Sequence, residues 1–226
     1  IFTSSVAIYG FAPADTDESG EANYFNDYGR TKYLAEQVYK AWQAEDQGRR
    51  TLVIVRPTVI FGEGNRGNVY NLLRQIASRK FMMFGDGMNK KSMAYVENVA
   101  AFLQYSLSFK SGIHIYNYID KQDFDMNTLV STARKILFHK ENVGLRLPAF
   151  FGMGIGYIAD AISMILGKSL PISRIRVRKF MGTTQFSSSI SDTEFTPPVS
   201  LHNGLVKTLR YEFLDNNSDK RTFDTE

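Results

Sequence analysis

Thr51-Leu52-Val53-Ile54-Val55-Arg56-Pro57-Thr58-Val59-Ile60-Phe61-Gly62 is the stretch that decides the fold. Leu52 to Val55 are apolar without alternation, the pattern of a strand buried on both faces of a sheet. Pro57 has no N–H to give to a ladder and Gly62 opens a loop, so the strand leaves the sheet there. Upstream, Leu34, Val38 and Trp42 recur every four positions and predict a helix from about Asp27 to Gln47, its apolar stripe packed on the sheet or on a partner helix. Earlier still, Ile1-Phe2-Thr3-Ser4-Ser5-Val6-Ala7-Ile8-Tyr9-Gly10 reads as the end of a second buried strand breaking into a hydroxyl-rich turn. Strand, helix and strand in this order make a parallel βαβ unit, so the class is α/β. Ser5 and Pro57 both fall at carboxyl ends of strands, the edge where open α/β sheets bind ligands.

Tyr28 and Lys32 lie four residues apart on that helix, one turn and one face. A phenol alone is a poor base at neutral pH, and an ammonium held beside one favours the phenolate. Such a pair suits proton exchange with an alcohol that is oxidised to a ketone. One tyrosine–lysine pair is a weak signal by itself in a chain with 12 tyrosines. Its weight comes from Ser5 and the loop after Pro57, which the βαβ unit brings towards the same crevice.

Taken together, Thr3-Ser4-Ser5…Tyr9-Gly10, Tyr28…Lys32, Arg56-Pro57…Gly62 and Lys90-Lys91-Ser92-Met93-Ala94-Tyr95-Val96 resemble the extended short-chain dehydrogenase/reductases. The closest resemblance is to the NAD-dependent epimerase/dehydratase family acting on nucleotide sugars. It is good over residues 1–110 and looser beyond. It implies the C-terminal part of a doubly wound Rossmann-type parallel sheet with a smaller α/β substrate-binding domain. The division it implies is 1–110, then 111–214, then a polar tail at 215–226.

The resemblance also implies roles. NAD is the expected cofactor, with NADP also compatible, held by Ser5, Tyr28, Lys32 and the loop residues Pro57, Thr58 and Val59. Tyr28 would be the base, Lys32 would bind the nicotinamide ribose, and Ser5 would hold the substrate oxygen. Asn68, opening a helix, and Lys91, where the family carries an arginine, would meet the substrate phosphates. Lys179, in the basic run Arg174-Ile175-Arg176-Val177-Arg178-Lys179, is the nearest match to a second phosphate-binding position. The nucleotide-sugar substrate and a homodimer through the helix of Tyr28 and Lys32 are the expected partners.

Val6 and Ala7 stand where dehydratases of the family carry an Asp-Glu pair, which argues against elimination of water. A UDP-sugar 4-epimerase or 4-ketoreductase is therefore the expected activity. Val59 stands where many epimerases have asparagine, which keeps open a dehydrogenase or reductase of another alcohol, of the hydroxysteroid or ketone type. A third reading is a binding protein that has the fold without the catalysis.

Composition narrows the rest. With no cysteine there are no disulfides or thiolate metal sites, and His114, His139 and His202 lack ligand spacing, so no metal is expected. Net charge +4 suits an anionic small substrate, and no basic–aromatic platform for nucleic acid is visible. The expected location is the cytoplasm. No glycine-rich G-x-x-G-x-x-G turn follows a strand, and Ile1 already lies in one, so the chain reads as lacking roughly the first 100 residues of a doubly wound domain.

Further elements are predicted at Asn68–Ser78, Glu97–Ser108, Met126–Phe138 and Val199–Tyr211 (helices), and at 81–85 and His114–Ile119 (strands). The apolar segment 147–166 is long enough to span a bilayer, but Asp160 and the glycines at 152, 154 and 156 favour a buried or lid-forming helix, with surface association as the minor reading.

Overall fold

The structure is a computed structural model describing residues 1–166, 177, 181–216 and 222–223. In chain order its first half comprises β1 (Phe2–Thr3), α1 (Asp27–Ala44), β2 (Thr51–Pro57), β3 (Val59–Phe61), α2 (Asn68–Ala77), β4 (Met83–Phe84), β5 (Lys90–Tyr95) and α3 (Val96–Tyr105). The second comprises β6 (Gly112–Tyr118), β7 (Asp120–Asp125), α4 (Met126–Phe138), β8 (Arg146–Leu147), α5 (Ala149–Leu166) and α6 (Leu201–Phe213).

β1, β2 and β6 form a parallel sheet in that order, with Thr3 opposite Val55 and Ile54 opposite Ile115. β2 is buried from Leu52 to Pro57, as an apolar run between two neighbours must be. β6 lies beyond the residue-110 boundary expected from the sequence. Its register with β2 nonetheless runs from Thr51↔Gly112 to Pro57↔Tyr118, so the parallel sheet draws on both sides of that boundary. A second sheet, β3-β5-β7, is mixed: β5 is parallel to β3 and antiparallel to β7. β7, Asp-Lys-Gln-Asp-Phe-Asp, has no strand-like composition; pairing with β5 overrides its propensity.

Among the described residues, two of three buried apolar clusters carry most of the core. In one, Leu73 of α2, Leu129 of α4 and Leu205 and Leu209 of α6 meet Phe61, Met93 and Tyr95. In the other, Val53 and Val55 of β2 pack with Phe102 and Tyr118. Gly204 lets α6 lie directly on a ring: a Cβ there would sit 2.7 Å from Tyr95.

Two helices leave apolar side chains exposed. The stripe Leu34–Val38–Trp42 of α1 does not pack on the sheet; it is exposed, while Gly29, Glu36 and Gln43 are buried. α5 is helical despite its glycines, and Gly152 is the point where it meets Phe84, but Phe150, Phe151, Tyr157 and Met164 are exposed rather than buried. No helix among the described residues is long and apolar enough to cross a membrane.

Candidate active site

The chain after β1 turns at once. Ser5 caps a short 3-10 helix, Val6–Tyr9, its hydroxyl accepting from the Ala7 N–H at 3.1 Å. α1 is capped by Asn26, which accepts from the Gly29 N–H at 3.0 Å. Gly29 is then pressed onto the Ser5 turn: a Cβ there would stand 2.5 Å from the Ala7 carbonyl oxygen. That close approach draws the first turn of α1, with Tyr28, against the segment that carries Ser5.

Lys32 completes the arrangement. Its Nζ donates to the Thr3 carbonyl at 2.9 Å, tying α1 to the carboxyl end of β1, and lies 5.8 Å from the centre of the Tyr28 ring. Tyr28 itself is half exposed. An ammonium has three N–H groups, so Lys32 keeps donors for a ligand after bonding Thr3. Beside Ser5, the Ser4 hydroxyl is buried and has no hydrogen-bond partner among the described residues. Ser4, Ser5, Tyr28 and Lys32 thus gather unspent hydroxyl and ammonium groups at one strand edge. That set fits the sugar and amide end of a nicotinamide dinucleotide.

The loop after β2 reaches the same edge. Pro57 and Thr58 are buried, and the Thr58 hydroxyl donates to the Tyr118 carbonyl at 3.2 Å. Thr58 therefore contributes wall and backbone there, while Val59 is exposed.

The two described phosphate candidates differ. Asn68 is exposed at the first position of α2; the cap is Gly67, so Asn68 is not the ordinary N-cap. Lys91 is not a solvated surface lysine. It reaches the Gly182 carbonyl at 2.5 Å and the Thr184 hydroxyl at 3.3 Å, and burial lowers its pKa to about 8. Lys179 and its basic run, except Val177, lie outside the described residues. No cluster of metal-ligating side chains occurs among the described residues.

Sequence reading missed what holds the site. Arg56 forks onto Glu36 of α1 at 2.9 and 2.6 Å and donates to the Tyr9 hydroxyl at 2.6 Å. Tyr9 donates onward to Asn117 Oδ1 at 2.9 Å, and the Asn117 N–H donates to Glu18 at 2.7 Å. Burial alone would lower the Arg56 pKa, but its bonds to Glu36 and Tyr9 hold it above the usual value. One buried guanidinium thus ties the helix of Tyr28 and Lys32, the turn after Ser5, and β2. The available signal was a glutamate on the helix and an arginine ending a buried strand.

The family model described as NAD dependent epimerase/dehydratase family matches residues 1–118. The chain belongs to this family. Within it, the chain is 47% identical over 228 residues to the N-acetyl-alpha-D-glucosaminyl-diphospho-ditrans,octacis-undecaprenol 4-epimerase of Escherichia coli O157:H7, covering 100% of this chain and 69% of that protein. It is 25% identical to the UDP-glucose 4-epimerase of Vibrio cholerae, covering 96% of this chain and 64% of that one. Among solved structures, UDP-glucuronic acid 4-epimerase from Bacillus cereus in complex with NAD superposes with a TM-score of 0.66 at 19% identity, over 92% of this chain and 59% of that one, a likeness of fold. The parallel β1-β2-β6 sheet accordingly belongs to the fold of this family.

Proposed function

We propose that the protein carrying this chain is an NAD-dependent 4-epimerase of a sugar borne on a diphosphate, with an N-acetylhexosamine the first candidate. The observation that carries this reading is the contact of Lys32 with both Thr3 and the Tyr28 ring, beside Ser5, in a family member 47% identical to a named 4-epimerase. Tyr28 takes the proton from the sugar 4-hydroxyl as that carbon is oxidised, and returns it when hydrogen is restored on the opposite face. Ser5 holds the same oxygen, and Lys32 binds the ribose beside Tyr28. When bound, NAD supplies the hydride acceptor and donor. Pro57, Thr58 and Val59 wall its nicotinamide end. Asn68 and Lys91 meet the diphosphate, with Lys179 as a further contact.

NADP remains compatible with these residues. The reductase reading rests on Val59 alone, and no observation favours the non-catalytic one. The exposed Leu34–Val38–Trp42 stripe supports a homodimer through α1. The absence of cysteine suits a cytoplasmic enzyme. We keep 111–214 as mainly substrate-binding, with β6 joined to the first sheet.

The test is Tyr28→Phe in the intact protein, supplied with NAD and UDP-N-acetylglucosamine or its lipid-diphosphate counterpart. Loss of the acid/base group lowers turnover by about 10²–10⁴. Near-normal turnover of the variant, or no 4-epimer formed by the unmodified protein on either carrier, sinks the reading.

A further inference from the structure

β4, β8 and the start of α5 form one surface. β4 and β8 pair in parallel, the Met83 N–H donating to the Leu145 carbonyl and the Gly85 N–H to the Leu147 carbonyl, both at 2.9 Å. This puts Met82 beside Leu145, and both are exposed. α5 leaves β8 through Pro148 and seats Gly152 on the Phe84 ring. Among the described side chains of α5 the exposed ones are apolar: Phe150 is 67% exposed and Met164 82%, with Tyr157 exposed between them. These three stand seven residues apart, two turns each, so they fall along one side of the helix for about 21 Å. Phe151 stacks against Phe150 with ring centres 4.4 Å apart and widens the stripe. Arg79, Lys80 and Arg146 are exposed beside the β4–β8 end.

An apolar stripe of this length with cations at one end has the character of a helix lying in a lipid interface. The cations complement anionic head groups. A substrate chemistry also calls for such a face: the 47% identical relative is named for a sugar diphosphate carried on undecaprenol, a chain that resides in lipid. We infer that Met82, Leu145 and the Phe150–Tyr157–Met164 side of α5 dock the protein on an anionic bilayer, from which it takes a polyprenyl-diphosphate-linked sugar. The choice of carrier rests on the 4-epimerase reading; the docking itself does not.

The experiment uses the intact protein and the double variant Phe150→Ser/Met164→Ser, whose side chains are already exposed and outside the candidate active site. Each is sedimented with vesicles of phosphatidylcholine alone and of phosphatidylcholine with phosphatidylglycerol. The unmodified protein is expected to partition onto the anionic vesicles, and the double variant to partition at least about tenfold less, since each side chain loses its apolar contact with lipid. Epimerisation of soluble UDP-N-acetylglucosamine by the two proteins is measured in parallel and is expected to be equal. If the unmodified protein stays in the supernatant, the docking proposal is overturned. The same holds if the double variant binds vesicles equally well, or if it changes the oligomeric state in lipid-free solution, which would assign the stripe to a second copy. Absence of epimerisation on both UDP-N-acetylglucosamine and its lipid-diphosphate counterpart, with vesicle binding intact, would count against the 4-epimerase reading alone.

Discussion

α4 and α1 bury opposite kinds of surface. α4 turns Met126, Leu129, Val130 and Ala133 inward, the ordinary arrangement of a helix that packs on a core. α1 buries Gly29, Glu36 and Gln43, and leaves Leu34, Val38 and Trp42 outside. The difference is one of task. α4 fills volume, whereas α1 is held at fixed points: Gly29 on the Ala7 carbonyl, Lys32 on Thr3, Glu36 on Arg56, and Gln43 Nε2 on the Arg50 carbonyl at 3.2 Å. Directional bonds set the rotation of α1 about its axis, and that rotation holds its first turn against the segment after β1 and Lys32 beside the Tyr28 ring.

The largest effect is expected where that anchoring is cut. Glu36→Ala leaves the Arg56 guanidinium buried without its carboxylate. The cost of breaking such a pair is about 3–5 kcal/mol, read from the midpoint of urea unfolding. A loss under about 1 kcal/mol would mean that water or Tyr9 replaces Glu36, and α1 would not be anchored as described.

On α4 the equivalent cut is Leu129→Ala, a fully buried side chain in the cluster with α2 and α6. It is expected to cost about 2–5 kcal/mol through lost transfer energy and a cavity. Unlike Glu36→Ala, it should leave substrate turnover per folded molecule unchanged. A selective fall in turnover would show that α4, too, positions the site.

The contrast marks what the sequence could reveal. α4 was legible to the residue, Met126 to Phe138, because its apolar period and its core face coincide. α1 was legible as a helix from the same period, yet its orientation was not, since Leu34, Val38 and Trp42 point away from the core. The Tyr28–Lys32 pair and Ser5 were found because their chemistry is local in sequence. Glu36, Arg56, Tyr9, Asn117 and Glu18 were not, because their bonds join residues up to 108 positions apart. β7 was missed for a related reason, its polar composition being compatible with a strand only once β5 lies beside it.

Lys91 is a second charge held largely out of water. Glu36 meets a guanidinium; Lys91 donates to the Gly182 carbonyl and the Thr184 hydroxyl. Its folded pKa of about 8 lies below the ordinary 10.5, so between these values the unfolded chain binds more protons than the folded one. Stability attributable to Lys91 must then rise with pH through that window, by up to about 1.4 kcal/mol per unit. Below pH 8 the group is charged in both states and the burial penalty is fully present. Comparing unfolding midpoints of the unmodified protein and Lys91→Met from pH 7 to 10 reads this slope. A variant with the same slope would show that Lys91 is solvated in the folded protein.

The smallest effect on the folded monomer is expected on the outer side of α1. Val38 is 67% exposed, so Val38→Lys removes little buried apolar area and keeps a good helix former. Its direct effect on monomer stability should stay within about ±0.5 kcal/mol, the range of surface substitutions. Association should respond far more. If Leu34, Val38 and Trp42 form the centre of a homodimer interface, a lysine at position 38 puts two like charges close together in an apolar setting, where each lacks a counterion. Sedimentation velocity of the intact protein should then show a dimer for the unmodified chain and a monomer for the variant at the same concentration, with thermal unfolding of the two monomers superposed. A variant that remains dimeric would place the interface elsewhere. A variant that is monomeric but strongly destabilised would show that the stripe is covered from within the protein, and the inside-out pattern of α1 would then belong to its core after all.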